Sequence, residues 1–380
     1  MQPVPVRRVT FVIGTSAGGT GAHVRMLAAG LARRGVQVRI AAPTRTGADL
    51  GLDTMPDVRF TAVEFGDRPR PADAKAILAL RRLLTEPGAR PDVVHAHGMR
   101  AGALTAVALT RTGTRKPKLV VTVHNAPPPG GGAAGLVYLA LERIVAHTAD
   151  LALAVSSDLE QRMRAAGARK VERAVVSAPV GPAPHETALE KLSPKQTASP
   201  RQAPERPLVL AVGRLAPQKD FATLIDAAAA WQHLSPKPRL LIAGEGPLKA
   251  ELEARAKRRA VDAEFPGHRD DIPQLLAKAS VFVMPSLWEG QPLALQEALQ
   301  AGVPIVASGA GGIPDLTGDG AALLVEPGNA ERLGQAVLSV MDDDALAGRL
   351  RAAARRRAAA LPAGDDAATA ALAAYARIPR

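Results

Sequence analysis

Short, continuous apolar runs alternate with longer stretches whose apolar residues recur at helical spacing, and the alternation persists along most of the chain. Uninterrupted apolar runs are how strands buried on both faces read, and helical segments between them indicate parallel sheets covered by helices. Strands are predicted near 8–13, 37–42, 58–63, 92–96, 118–123, 151–155 and 173–178. A second series is predicted at 208–212, 238–243, 262–265, 280–284, 304–307 and 321–325. The two series are separated by residues 191–206, which are poor in apolar residues and carry three prolines, as an interdomain linker does.

This pattern divides the chain into a first domain over 1–190, the linker over 191–206, a second domain over 207–360 and a terminal helix over 361–380. Both domains are predicted to be α/β, doubly wound on parallel sheets. No repeat of solenoid length is evident, and the Ala/Arg-rich stretch 349–360 is predicted to be helical.

Composition adds limits. At 380 residues the chain exceeds the usual single core, and 47% hydrophobic and 22% charged residues suit a soluble enzyme. No run has the length of an uncharged membrane helix, and the first eight residues lack the order of a signal peptide, so a cytoplasmic location is expected. With no cysteine there is no disulfide or thiolate chemistry. The eight histidines show no metal-ligand spacing, so no metal is expected.

Charge is unevenly spread. Residues 1–180 hold 25 Lys plus Arg against 13 Asp plus Glu, an excess of 12, whereas the remainder is balanced at 23 against 23. A basic first half fits nucleic acid, anionic lipid, an anionic small substrate or simply a solvated arginine-rich surface. Aromatic residues, at 3%, are too few for base-stacking platforms, which disfavours nucleic acid.

The most informative segment is 286–304, where Glu289 and Glu297 flank the start of a predicted helix over 292–302. Pro292 is placed at the first helical position. A helix start attracts anions through unpaired N–H groups, while carboxylates accept hydrogen bonds from hydroxyls, and a sugar nucleotide offers both partners. Glu297 lies in the second turn and leans back toward Glu289. Downstream, Ser308-Gly-Ala-Gly-Gly-Ile-Pro-Asp315 is a glycine turn allowing close backbone approach. Neither the glycine-containing segment 243–248 nor that at 266–272 fits Gly-x-Gly-x-x-Gly or the P-loop pattern, which argues against a dehydrogenase or an ATPase.

The run from Val281 to Gly328, with Glu289 and Glu297 as a Glu-x(7)-Glu pair, resembles the donor-binding half of the family 4 retaining glycosyltransferases. The segments Val212-Gly-Arg-Leu-Ala-Pro-Gln-Lys-Asp-Phe221, Ala243-Gly-Glu-Gly-Pro-Leu248 and Pro266-Gly-His-Arg-Asp-Asp-Ile272 extend the resemblance. Two departures stand out: the family often has Gly where Pro292 stands, and Ala174-Val-Val-Ser-Ala-Pro-Val-Gly181 lacks the Asn that usually precedes its glycine.

The resemblance implies the GT-B architecture, two Rossmann-like domains facing a cleft, with the donor on the second domain and the acceptor mostly on the first. It implies that Arg214 and Lys219 grip the donor pyrophosphate, that Glu289 holds the sugar hydroxyls and that Gly290, Gln291, Pro292 and Leu293 bind the donor. Glu297 is assigned to the ribose. His268 and Arg269 are placed near the base, with a plain loop role equally open. Gly18 and Gly19 stand beside the donor phosphate, and His124 beside the reacting sugar, where a satisfied buried histidine is the alternative. His23 is weaker, being placed for structure. The terminal helix would cross back to the first domain, or else close the second.

The expected activity is metal-independent, retaining transfer of a sugar from a UDP- or GDP-sugar to an acceptor hydroxyl. The nucleotide sugar is a co-substrate, and no other cofactor is expected. Partners are that donor and a small-molecule, glycan or lipid-linked acceptor, with peripheral contact to an anionic membrane and no nucleic acid. A sugar-nucleotide epimerase or hydrolase of the same fold, and a basic membrane-surface or nucleic-acid binding module, are the alternatives.

Overall fold

The structure is a computed structural model that describes residues 6–15, 19–66, 68–110, 116–126, 132–177 and 206–379. Most of the expected linker, together with Gly18, the tip at 127–131 and residues 178–181, lies outside the described residues. The chain divides into two compact units, one comprising Met1–Pro179 with Pro362–Arg380 and the other Val180–Leu361.

The first unit is built on β1 (Arg8–Ile13), β2 (Gln37–Ala42), β3 (Val58–Ala62), β4 (Val93–His97), β5 (Lys118–Val123), β6 (Leu151–Ala154) and β7 (Val171–Arg173). All pair in parallel, in the order β3-β2-β1-β4-β5-β6-β7. Its helices are α1 (Gly19–Arg33), α2 (Thr44–Asp49), α3 (Asp73–Thr85), α4 (Met99–Leu109), α5 (Gly132–Thr148) and α6 (Ser157–Ala165). The strand order reverses between β1 and β4. Right-handed crossovers therefore place α1 and α2 on one face of the sheet and α3, α4 and α5 on the other.

One strand differs from expectation. β7 occupies Val171–Arg173 rather than 173–178, because its partner β6 is only four residues long and the ladder ends at the pair Ala154 and Arg173. Val175, one of the apolar residues that suggested a longer strand, packs against the core beyond the end of the ladder.

The second unit contains β8 (Leu208–Val212), β9 (Arg239–Ala243), β10 (Ala263–Glu264), β11 (Val281–Met284), β12 (Ile305–Ser308) and β13 (Leu323–Val325), ordered β10-β9-β8-β11-β12-β13 and again all parallel. Helices α7 (Phe221–Ala227), α8 (Lys249–Arg258), α9 (Ile272–Lys278), α10 (Leu293–Ala301), α11 (Ile313–Thr317), α12 (Ala330–Asp342) and α13 (Asp344–Ala360) complete it. Alternate strand residues feed two cores, one around Trp231, Leu224 and Val337, the other around Phe282, Leu295 and Ile305.

The last helix, α14 (Asp366–Ala376), belongs to the first unit, where Ala367, Ala371 and Tyr375 enter the core. It lies close on α1: a Cβ on Gly30 would stand 2.6 Å from the Ala368 methyl, so only glycine permits this approach. Arg34 Nη1 reaches Asp365 Oδ2 at 2.9 Å at the start of α14.

Candidate active site

In doubly wound sheets ligands collect at the carboxyl ends of strands where the order reverses. In the second unit that point lies between β8 and β11, and the loops leaving these strands carry Arg214, Lys219 and Glu289. After β8 the chain passes Gly213 and Arg214 and forms a 3-10 turn over Pro217–Lys219. Asp220 then adopts a left-handed conformation with φ 46° and caps α7 by accepting from Thr223. This reversal folds the Lys219 stem over Gly213, whose Cβ would lie 3.4 Å from Lys219 Cδ and Cε.

Lys219 Nζ donates to Glu289 Oε1 at 2.5 Å, and Ser286 Oγ donates to the same oxygen at 2.6 Å. Glu289 is only 5% exposed, and its Oε2 has no partner among the described residues. The loop is fastened on both sides. Gln218 Nε2 donates to the Trp288 carbonyl at 2.8 Å and Leu287 N to the Gln218 carbonyl at 2.9 Å, while Gly312 N donates to the Glu289 carbonyl at 2.8 Å. Gly311, at φ 55°, permits this contact because a Cβ there would stand 2.1 Å from the Glu289 carbonyl oxygen.

Gly290 is buried and Gln291 half-buried, with its Oε1 unpartnered among the described residues. Pro292 is the N-cap, with φ −70° and ψ 121°, rather than the first helical residue. Its extended ψ keeps it outside the helix, and α10 begins at Leu293 with no side-chain cap. Glu297 is half-buried in the second turn, and desolvation raises its pKa above the usual carboxylate range.

Arg214 is exposed and forms no ion pair with any described residue. His268 and Arg269 are also exposed but locally engaged, His268 Nε2 lying 3.2 Å from Asp270 and Arg269 forking onto Asp271 at 2.7 and 2.5 Å. Their loop is tied to the next one by Gly244 N donating to the Gly267 carbonyl at 2.8 Å.

In the first unit the β4 and β5 ends bring histidines together. His97 Nδ1 and His124 Nε2 are 3.1 Å apart with stacked rings. His95 stacks on His97 and bonds Tyr375 through Nδ1 at 2.7 Å and Thr122 through Nε2 at 2.6 Å. His23 stands edge-on to both His97 and His124. Burial holds all of them neutral: His23 is lowered to about 4 and His95 to about 3, with His97 and His124 well below the usual range. One nitrogen of the His97–His124 pair therefore carries the shared hydrogen. Both rings line a pocket of about 220 Å³ with Phe65, Asn125 and Tyr138. Gly19 is the exposed first residue of α1.

Sequence reasoning missed Ser286, Gln218 and His97. Ser286 stands three residues before Glu289 in the same loop, and His97 ends the strand beside β5, so adjacency was available as a signal for both. Nothing local points to Tyr375, which is 280 residues from His95. Among the described residues no three His, Asp or Glu side chains converge as metal ligands. No helix of the described residues is long and apolar enough to cross a membrane.

Comparisons with known sequences and structures identify the family. The family described as "Glycosyl transferase 4-like domain" matches residues 18–179, and that described as "Glycosyl transferases group 1" matches 193–357. The chain is 30% identical over 370 residues to a glycogen synthase of Mycobacterium tuberculosis, covering 90% of this chain and 86% of the relative. It is also 30% identical over 294 residues, 72% of each chain, to the Escherichia coli UDP-Gal:alpha-D-GlcNAc-diphosphoundecaprenol alpha-1,3-galactosyltransferase. The fold is similar to Anabaena Alr3699/HepE solved with UDP and glucose, with TM-score 0.77 at 19% identity over 97% of this chain and 99% of that one. The chain belongs to the GT-B glycosyltransferases.

Proposed function

We propose that the protein is a retaining glycosyltransferase that moves a hexose or related sugar from a UDP- or GDP-sugar to an acceptor hydroxyl. The observation that carries this reading is the Lys219–Glu289–Ser286 cluster at the uncapped start of α10. Glu289 has Oε1 occupied and Oε2 free, so it serves as a fixed acceptor for donor-sugar hydroxyls.

Arg214, Lys219 and the α10 N-terminus supply positive potential for the pyrophosphate, and this interaction strengthens as the leaving phosphate gains charge. That set of charges makes a divalent metal unnecessary. Glu297 accepts hydrogen bonds from the ribose. The loop of His268 and Arg269 completes the donor contacts on this unit.

In the first unit the neutral His124, bonded through Nε2 to His97, keeps its Nδ1 for a hydroxyl of the reacting partners. The bond between the anomeric carbon and the phosphate oxygen breaks with its electron pair going to phosphate. The acceptor oxygen bonds the carbon on the same face, and its proton passes to the departing phosphate.

The names of the two relatives support a sugar-transfer reading, and that of the galactosyltransferase specifies a UDP donor and a lipid-diphosphate acceptor. With the excess of 12 positive charges in residues 1–180, this supports an anionic, membrane-associated acceptor on the cytoplasmic side. The test is transfer from UDP- and GDP-sugars in the presence of chelator, with the product anomer assigned by NMR. Chelator-resistant product with the donor's configuration is expected. Sugar release that ignores every acceptor would favour a hydrolase instead.

A further inference from the structure

The layer formed by α3, α4 and α5 has an unusual outer surface. Eight large hydrophobic side chains are exposed among the described residues, and Leu78, Val107, Leu136, Val137, Leu139 and Ile144 all lie on these three helices. The helices are neighbours, since α4 packs against both α3 and α5. No exposed large hydrophobic residue falls on α1, α2 or α14 on the opposite face.

On α5 the exposed stripe runs Leu136, Leu139, Ala140, Arg143, Ile144, His147, a spacing of three or four residues that marks one side of a helix. A solvated helix would be polar there. Leu136 is 69% exposed and Leu78 52% exposed.

The charges on these three helices that lack an opposite partner among the described residues are positive. Its acidic residues, Asp73 and Glu142, are both held by arginines, Asp73 by Arg100 and Glu142 by Arg162. Lys75, Arg82 and Arg143 are exposed and pair with no carboxylate among the described residues. Arg81 spends its guanidinium on the Ala108 and Val107 carbonyls, beside the exposed Val107, and keeps its charge unneutralised. Apolar side chains interleaved with unpaired cations are complementary to a bilayer surface with anionic headgroups, where the apolar groups enter the acyl boundary and the cations meet phosphate.

We infer that the outer face of α3, α4 and α5 docks this protein on anionic membrane, with the α5 stripe as its apolar keel. The inner side of α5 carries Tyr138 and Leu141, which line the pocket holding His97 and His124. Docking would thus bring that pocket to the lipid–water boundary, which deepens the reading of a membrane-associated acceptor and rests on it. The docking itself does not.

The experiment is co-sedimentation of the full chain with vesicles of phosphatidylcholine alone or mixed with phosphatidylglycerol, without nucleotide present. Wild type should partition onto the anionic vesicles and hardly onto the neutral ones. Arg143→Glu should weaken that partition roughly tenfold or more, and Leu136→Glu combined with Leu139→Glu should abolish it. Arg25→Glu, on the exposed side of α1 in the opposite layer, should change it less than either. Thermal stabilisation by UDP, measured in parallel without vesicles, confirms that each variant is folded and reports on donor binding separately. Equal binding to both vesicle types, or wild-type binding by the keel variants, would overturn the inference. So would a concentration-dependent dimer that the keel substitutions dissociate while vesicle binding stays absent.

Discussion

Lys219 and Glu289, seventy residues apart, form an ion pair of 2.5 Å in which the carboxylate side chain is 7% and the ammonium side chain 20% exposed. The pair joins the loop after β8 to the loop after β11, the two strands at which the sheet order reverses. Removing one partner leaves the other charge desolvated. Lys219→Met should therefore cost about 1–3 kcal/mol of stability, read from urea unfolding, in addition to impairing catalysis.

The opposite substitution separates binding from chemistry. Glu289→Gln keeps the shape and leaves an amide to meet Lys219, so nucleotide affinity should change little. The fixed charge beside the reacting sugar is lost, and kcat should fall by about 100-fold. Titration calorimetry with UDP alongside steady-state kinetics distinguishes the two effects. A fall in affinity matching the fall in rate would contradict the assigned role.

Glu297 gives a prediction of unusual sign. Desolvation raises its pKa, so its charged form destabilises the fold, and stability attributable to it increases as pH falls through the raised value. Glu297→Gln should accordingly raise Tm by roughly 1–3 °C while weakening nucleotide binding. Differential scanning calorimetry of the apo protein at pH 7, paired with UDP titration, tests both halves.

The histidine stack makes the first unit acid-sensitive. With folded pKa values of about 4 for His23 and about 3 for His95, the unfolded chain takes up protons below pH 6.5 that the native chain refuses. Stability should therefore fall as pH is lowered from 6.5 toward 4, by about 2 kcal/mol per buried histidine between pH 6.5 and 5. Denaturant unfolding at the two pH values measures it. His95→Phe should flatten the slope.

Backbone geometry supplies a further test. Gly311 has φ 55° and stands against the Glu289 carbonyl, so Gly311→Ala strains the turn and pushes that carbonyl away. A loss of about 2–4 kcal/mol together with near-complete loss of transfer is expected. Gly320→Ala, at φ 77° with nothing within 4 Å, carries the conformational strain without the collision and should retain most activity.

Both sheets were legible in the sequence because parallel strands buried on both faces read as unbroken apolar runs, as at Leu208–Val212 and Val281–Met284. β7 was not, since Val175 and Val176 are apolar for packing while strand length is limited by the short partner β6. Pro292 was read one position too far into the helix, because a favourable φ does not reveal the ψ of 121° that makes it a cap. For the donor half, the resemblance to the family rather than spacing alone pointed to Glu289 and Glu297, and no sequence pattern could show that Glu289 is clamped by Ser286 and Lys219, which depends on how two loops meet. The Tyr375–His95 bond depends on α14 returning to the first unit, and no local pattern encodes it.

The most direct measurement is calorimetric titration of the intact protein with UDP, GDP and their sugars, repeated on the Arg214→Ala, Lys219→Ala double variant. Saturable binding of one nucleoside diphosphate and its sugar, weakened at least tenfold in the variant, is the expected result. Absence of binding by every nucleotide and sugar nucleotide, or binding that the double variant leaves unchanged, would contradict a donor site at the junction of Lys219 and Glu289.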